Sequence, residues 1–274
     1  MLNPKTIDNI VWYIPFKRLR NSVRDYLKEV IRILNNTQYY MDRGRYSQHR
    51  VRRMMAVQEC VKYLEDHDAR NITMLSTAFE ELKYVFENEI ELNGLFLEFG
   101  VYRGGTLNYM SNLKKDQIFY GFDSFEGLPE FWQPGFVKGQ FNLNGELPTV
   151  NDNVKLIKGW FNESLPTFCK ENNEDVAFLH IDCDLYSSTK IIFDNLKDRI
   201  KPGTVITFDE YFNYYAWKEH EYKAFQEFVK EKNVKYKYIS SNSYTSCSVK
   251  ILAIEQSRAE QSRAEQSRAD RKIA

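Results

Sequence analysis

From residue 94 onward the sequence alternates short apolar runs with stretches suited to helices, and this alternation restricts the fold more than any other feature. The apolar runs are Leu95 to Phe99, Ile118 to Phe122, Val154 to Ile157, Val176 to Ile181 and Thr204 to Phe208. Between them, Thr106 to Leu113, Leu165 to Glu171 and Ser188 to Ile200 read as helices, the last stopped by Lys201-Pro202-Gly203. Strands separated by helices form βαβ units, which build a mostly parallel sheet. Two later runs, Lys235 to Ile239 and Ser248 to Ile254, are parted by the polar segment Ser240 to Ser246 and predict an antiparallel hairpin at the sheet edge. The expected fold is α/β and Rossmann-like, with a central seven-stranded sheet.

Upstream of this region the periodicity is helical. Residues 18 to 34 place Leu19, Val23, Leu27, Val30, Ile31 and Leu34 on one face. Two further helical stretches cover about Arg50 to Asp66 and Ser76 to Glu91. Residues 1–90 therefore read as a helical cap or dimerisation region, residues 91–254 as the core, and a homodimer is an expected assembly. The segment Glu126 to Asp152, rich in Gly, Pro, Phe and Trp, is too long for an ordinary βα connection. It reads as a substrate lid (126–152), against a plain excursion packed by Phe131, Trp132 and Phe136. Residues 255–274 carry EQSRA repeats without a large apolar residue and read as a solvated helix or disordered tail.

Charge narrows the partners. Lys and Arg number 38 against 38 Asp and Glu, so no global field points to nucleic acid. Residues 1–60 are locally basic, with 12 Lys and Arg against 5 acids, which suits a solvated face or a phosphate-bearing acceptor. The 4 cysteines form no CxxC pair, so neither a zinc site nor a disulfide framework is expected. The apolar patch around Ile10 to Phe16 is broken by Pro15 and is too short to span a bilayer. A cytoplasmic chain without a transmembrane segment is expected.

Three motifs carry chemistry. In Leu97-Glu98-Phe99-Gly100-Val101-Tyr102-Arg103-Gly104-Gly105-Thr106, a strand enters a glycine-rich turn and a helix. Such glycines let the backbone approach a ligand, although they also serve simply to close a tight turn. The GxGxxG spacing is missing, which speaks against a pyrophosphate cofactor. Asp123 ends the next strand, where an acid accepts ribose hydroxyls, or caps the segment beginning at Ser124. The third motif pairs His180-Ile181-Asp182-Cys183-Asp184 with Phe208-Asp209-Glu210 at two successive strand ends. Neighbouring strand tips lie about 4.8 Å apart, so these four acids converge. Crowded carboxylates take up protons or a cation, and a set of oxygen ligands selects a hard ion such as Mg²⁺. Asp184 has a second reading as a cap for the helix near Ser187 or Ser188.

The stretches LEFGVYRGGT, YGFDSFEGLPEFW, LIKGWFNESLPTF, LHIDCDLYSSTK, KPGTVITFDEY and WKEHEYKAFQEF occur in the order and approximate spacing of the macrocin-type sugar O-methyltransferases, which the chain resembles over about residues 75 to 253. Family members methylate deoxysugars on antibiotics, with homologues in polysaccharide clusters. The resemblance implies an enzyme of the class I methyltransferase fold, S-adenosylmethionine as donor and a Mg²⁺ site. It assigns the metal to Asp182, Asp209 and Glu210, and the general base to Asp184. Glu210 departs from the family, where a second Asp is usual. His180 and His220 are the alternative bases.

Expected cofactor contacts are Glu98, Gly100, Tyr102, Gly104, Thr106, Asp123, Ser124, Trp160 and Asp182. The acceptor is expected to be a sugar hydroxyl on a nucleotide-linked sugar, a glycan or a glycosylated metabolite. A catechol or other diol is the second enzyme reading, and a non-catalytic binding module the third.

Overall fold

The computed structural model describes residues 11, 13–30, 48–67, 69, 72–242 and 244–255. The chain divides into two compact units, residues 1–55 and 56–274. In the first, residues 17–30 are helical, in keeping with the periodicity from residue 18; residues 31–34 lie outside the described residues. The EQSRA repeats from residue 256 onward lie outside them as well, as does most of the patch around Ile10. No described helix is long and apolar enough to cross a membrane.

The elements in chain order are α1 (Gln48–Asp66), β1 (Thr73–Leu75), α2 (Ala78–Asn88), β2 (Leu95–Phe99), α3 (Gly105–Leu113), β3 (Phe119–Asp123), β4 (Val154–Lys158), α4 (Phe161–Glu171), β5 (Val176–Ile181), α5 (Tyr186–Leu196), β6 (Ile200–Phe208), a 3₁₀ turn (Trp217–Glu219), α6 (Glu221–Lys232), β7 (Val234–Asn242) and β8 (Cys247–Ile254). The sheet order is β1-β7-β8-β6-β5-β2-β3-β4. β8 runs antiparallel to both its neighbours, and every other pairing is parallel.

The seven expected strands are all present, and the structure adds an eighth. β1 has only 3 residues and no recognisable period, yet it pairs with β7 through Thr73 and Ser240, Met74 and Ser241, and Leu75 and Asn242. The expected hairpin of β7 and β8 is therefore covered on its outer side rather than forming the edge. A second difference lies at Lys201-Pro202-Gly203. The helix before it ends at Leu196, and Ile200 already pairs with Val176 of β5. Pro202 falls where the register shifts before Val205 meets Phe178, which leaves room for a residue without an N–H.

Alternation sorts the strand residues onto two faces. Phe96, Phe119, Phe178 and Val205 pack with Leu82, Val85, Leu107 and Met110 of α2 and α3. Leu97, Phe99, Leu179, Ile181, Ile206 and Phe208 pack with Leu165, Phe193 and Phe225 of α4, α5 and α6. The α2 side also carries a buried polar row. Glu98 faces His180 across the strands, His180 faces Thr207, Thr207 faces Ser248, and Ser248 faces Ser240. Buried polar groups need partners. Here Glu98 Oε1 and His180 Nδ1 lie 2.9 Å apart, and Thr207 Oγ1 and Ser248 Oγ also lie 2.9 Å apart. Glu81 of α2 accepts hydroxyl hydrogen bonds from Ser240, Ser246 and Ser248.

Candidate active site

The carboxyl ends of β2, β3, β5 and β6 open onto one cavity of about 560 Å³. Its lining includes Gly100, Tyr102, Asp123, Ser124 and Trp160 together with Asp182, Asp184, Asp209 and Glu210. Ligands of open α/β sheets bind where neighbouring strands send their chains to opposite faces, and here β2 and β5 are such neighbours.

Each wall has a local cause. Gly100 follows β2 at φ +95°, and a Cβ there would meet the Asp182 carbonyl oxygen at 1.7 Å, so only glycine lets the tips of β2 and β5 come together. Asp123 ends β3 and accepts the N–H groups of Val101 at 2.9 Å and Tyr102 at 2.8 Å, and that of Phe125 at 2.7 Å. Its carboxylate thus fixes the glycine-rich turn, where Tyr102 takes φ +47°. Oδ2 accepts the first two N–H groups and Oδ1 the third, so Oδ1 alone keeps an acceptor site. Ser124 Oγ accepts the Glu126 N–H at 3.1 Å. Trp160 precedes α4 as its first boundary residue, without a side-chain cap. Glu98, Gly104 and Thr106 stand back from the cavity: Glu98 is fully buried against His180, and Gly104 opens α3 in the left-handed conformation.

The acids of β5 and β6 gather as their positions at the strand tips require. Of the expected metal ligands, Asp182 and Glu210 come together with Asp184, the expected base, their carboxylate oxygens within 4.8 Å of one another, whereas Asp209 lines the same cavity but is not one of that trio. Asp184 is not a helix cap: α5 starts at Tyr186 with Leu185 before it, and Asp184 sits at φ +63°. Burial, followed by the charge of Asp209, pushes the carboxyls of Asp182 and Glu210 well above the usual range. Burial likewise lifts Asp184, which a hydrogen bond with Glu210 partly offsets, to about 7. Glu210 Oε2 is buried without a hydrogen-bond partner. Alone, these groups hold protons; a divalent cation accepts the same oxygens with their charge, so the donor set fits a hard ion.

Of the alternative bases, His180 is buried against Glu98 on the α2 side of the sheet. Burial works against its charged form, and the hydrogen bond and charge of Glu98 more than compensate. His220 packs against Trp132 and Tyr214, and burial lowers its pKa. Neither lines the cavity among the described residues.

The insert 126–152 folds back on itself, with Leu128 and Gln140 joined through N–H to carbonyl at 2.9 Å and Trp132 to Phe136 at 3.1 Å. Gly127 to Glu130, Trp132, Phe136 and Phe141 face the cavity. Ser187 of α5 donates to Glu130 at 2.6 Å, tying the insert to the acid-bearing side. Trp132 Nε1 is a buried donor without a partner. One further acid, Glu221, is fully buried beside the cluster and went unseen in the sequence, where an acid at the first residue of α6 looks like ordinary helix-terminus chemistry.

Known proteins resemble part of the chain. The Macrocin-O-methyltransferase (TylF) family model matches residues 136–243. Mycinamicin III 3''-O-methyltransferase of Micromonospora griseorubida is 26% identical over 183 residues, covering 57% of this chain and 71% of the relative. The 8-demethyl-8-(2,3-dimethoxy-alpha-L-rhamnosyl)-tetracenomycin-C 4'-O-methyltransferase of Streptomyces olivaceus is 28% identical over 157 residues, 48% of this chain and 59% of the relative. The solved structure of the O-methyltransferase NovP superposes with a TM-score of 0.51 at 21% identity, covering 64% of this chain and 79% of that one. The chain thus resembles the macrocin-type sugar O-methyltransferases over part of its length and has the class I methyltransferase fold.

Proposed function

We propose that the chain is an S-adenosylmethionine-dependent O-methyltransferase acting on a sugar hydroxyl, with Mg²⁺ at the acid cluster. The observation that carries this reading is that one cavity is lined both by Gly100, Asp123 and Trp160 and by the acids that follow β5 and β6. Donor and acceptor can meet inside it. The sugar O-methyltransferase relatives support the acceptor class.

Gly100 and Tyr102 take the cofactor close to the backbone, and the remaining acceptor site on Asp123 Oδ1 takes one of its ribose hydroxyls. Trp160 offers an aromatic face to the adenine. Glu98, paired with His180 behind the cavity, supports the tip of β2 that carries Gly100. Gly104 and Thr106 shape the turn and the α3 terminus behind these contacts. Asp182, Asp209 and Glu210 hold the metal, which when bound stabilises negative charge developing on the acceptor oxygen. Asp184 takes the hydroxyl proton. The acceptor oxygen's electron pair would form the new bond to the donor's methyl carbon, and the pair of the broken carbon–sulfur bond would stay on sulfur. Residues 126–152 close over the acceptor, with Trp132 Nε1 donating to one of its oxygens.

The test is transfer of labelled methyl from S-adenosylmethionine to a panel of free, nucleotide-linked and glycosidic sugars and catechols, with Mg²⁺ and with excess EDTA. Labelling of a sugar only with Mg²⁺ is the expected result. Labelling of catechols alone would overturn the acceptor, and full turnover in EDTA on metal-free protein would overturn the metal.

A further inference from the structure

Between β6 and the 3₁₀ turn at Trp217 the loop that carries Asp209 and Glu210 has no regular structure, so its course depends on tertiary contacts. Its early part is held from one side: the N–H groups of Tyr211 and Phe212 both donate to the Thr245 carbonyl at 2.9 Å. Asn213 then turns the chain at φ +61°, a conformation that asparagine tolerates, and its Nδ2 donates to the Tyr244 carbonyl at 2.6 Å. After that turn the Tyr214 hydroxyl reaches back and donates to the Glu210 carbonyl at 3.2 Å.

Tyr214 is also where this loop meets the insert. Its ring stands edge-on to Trp132, with centroids 5.9 Å apart and planes at 67°. Both side chains are buried, and Trp132 lines the cavity with an unpartnered Nε1–H. One side chain thus makes two different contacts, its ring with the insert and its hydroxyl with the backbone of a residue of the acid cluster. Phenylalanine would serve for packing alone. A buried hydroxyl needs a partner, and among the described residues that partner is Glu210.

We propose that Tyr214 is a positioning residue that transmits the placement of the insert, through Trp132, to the backbone of Glu210. The insert then helps to set the acid loop and is more than a cover over the acceptor. An acceptor seated against Trp132 and a cation seated on Glu210 favour each other's binding, because linkage between two sites is reciprocal. That consequence rests on the metal reading above; the connection between insert and loop does not.

The test is a double-mutant cycle read by amide hydrogen exchange, with a parallel titration by Mg²⁺ alone. Tyr214→Phe keeps the ring and removes the bond to Glu210, whereas Trp132→Leu keeps apolar bulk and removes the ring contact. Each should speed exchange of the Tyr211 and Phe212 amides about 2–10-fold, the worth of one hydrogen bond or one aromatic pair, while the β2 amides stay within about twofold. The double variant should exchange no more than about twofold faster than Tyr214→Phe, because the hydroxyl that Trp132 supports is already gone. Mg²⁺ affinity should follow the same pattern, falling about 2–10-fold in either single variant and no further in the double.

Unchanged exchange of Tyr211 and Phe212 in Tyr214→Phe or in Trp132→Leu would overturn the connection. Effects that simply multiply in the double variant would overturn it too, since the insert and Tyr214 would then act on the loop separately. Mg²⁺ binding that ignores both substitutions would overturn the cooperation between the sites. An unmodified protein that binds no Mg²⁺ would defeat the metal reading instead, with the exchange cycle still deciding the connection. Should Trp132→Leu not fold, Trp132→Phe, whose shorter ring draws back from Tyr214, takes its place in the cycle.

Discussion

Three glycines near the cofactor turn give a graded test of how the tips of β2 and β5 are joined. At Gly100 an added Cβ would lie 1.7 Å from the Asp182 carbonyl oxygen and 2.6 Å from its carbon, both backbone atoms, with φ at +95°. Gly100→Ala therefore combines backbone strain of about 1–3 kcal/mol with an overpacking cost of about 1–3 kcal/mol. Their sum, about 2–6 kcal/mol, lowers the melting temperature by roughly 4–24 °C for a domain of this size. Gly104→Ala meets nothing nearer than 3.3 Å from a Val150 methyl, so the left-handed φ of +76° is its main cost, about 1–2 kcal/mol. Gly105→Ala has nothing within 4 Å and opens a helix, so it stabilises by up to about 1 kcal/mol. Urea unfolding measures the three stabilities, and calorimetric titration with S-adenosylmethionine should show the largest loss of affinity in Gly100→Ala. Unimpaired stability in Gly100→Ala, or a larger loss in Gly104→Ala, would refute the steric account.

Burial holds the Glu81 carboxyl above its usual range, against the serine hydroxyls that pull it down, so the folded chain grips this proton more tightly than the unfolded one. The resulting stabilisation is complete below the ordinary carboxylate range and is lost as pH rises through the elevated value; unfolding followed across pH should show this slope flattened in Glu81→Gln. Asp184→Asn should cut turnover by about 10²–10⁴-fold while binding of S-adenosylmethionine is retained, and a variant with normal turnover would remove Asp184 as the base. His180→Leu strands Glu98 in the interior and should destabilise by about 3–5 kcal/mol, much of it recovered in His180→Leu/Glu98→Leu; a simple sum of single effects in chemical denaturation would show that the two are not coupled.

The sheet was legible because its strands are long enough to show a period. Val176 to Ile181 is apolar except for His180, and Leu95 to Phe99 except for Glu98; those two exceptions face each other in adjacent strands. The convergence of Asp182, Asp184 and Glu210 was legible for a similar reason, since position at a strand tip fixes where a side chain goes. What escaped notice depends on contacts between distant segments. Thr73–Leu75 is too short to carry a pattern and becomes a strand only because Ser240–Asn242 offers it partners. Glu221 and Glu81 stand on helices among many charged residues, and only the tertiary arrangement tells them from solvated ones. The start of β6 was hidden by Pro202 and Gly203, whose usual meaning as a helix stop is set aside by the shift in register beside them.

The small strand β1 shields Ser240 to Asn242, the last three residues of the nine in β7. Had the whole of β7 been left bare, its free N–H and carbonyl groups would invite pairing by another chain, the route by which open sheets aggregate. Its remaining length carries Lys235 and Lys237, both exposed, and stacking a second such strand alongside would bring like charges together. One flank is thus guarded by a borrowed strand at one end and by lysines at the other, which keeps a wide sheet from recruiting strangers while the carboxyl ends of its inner strands stay free for chemistry.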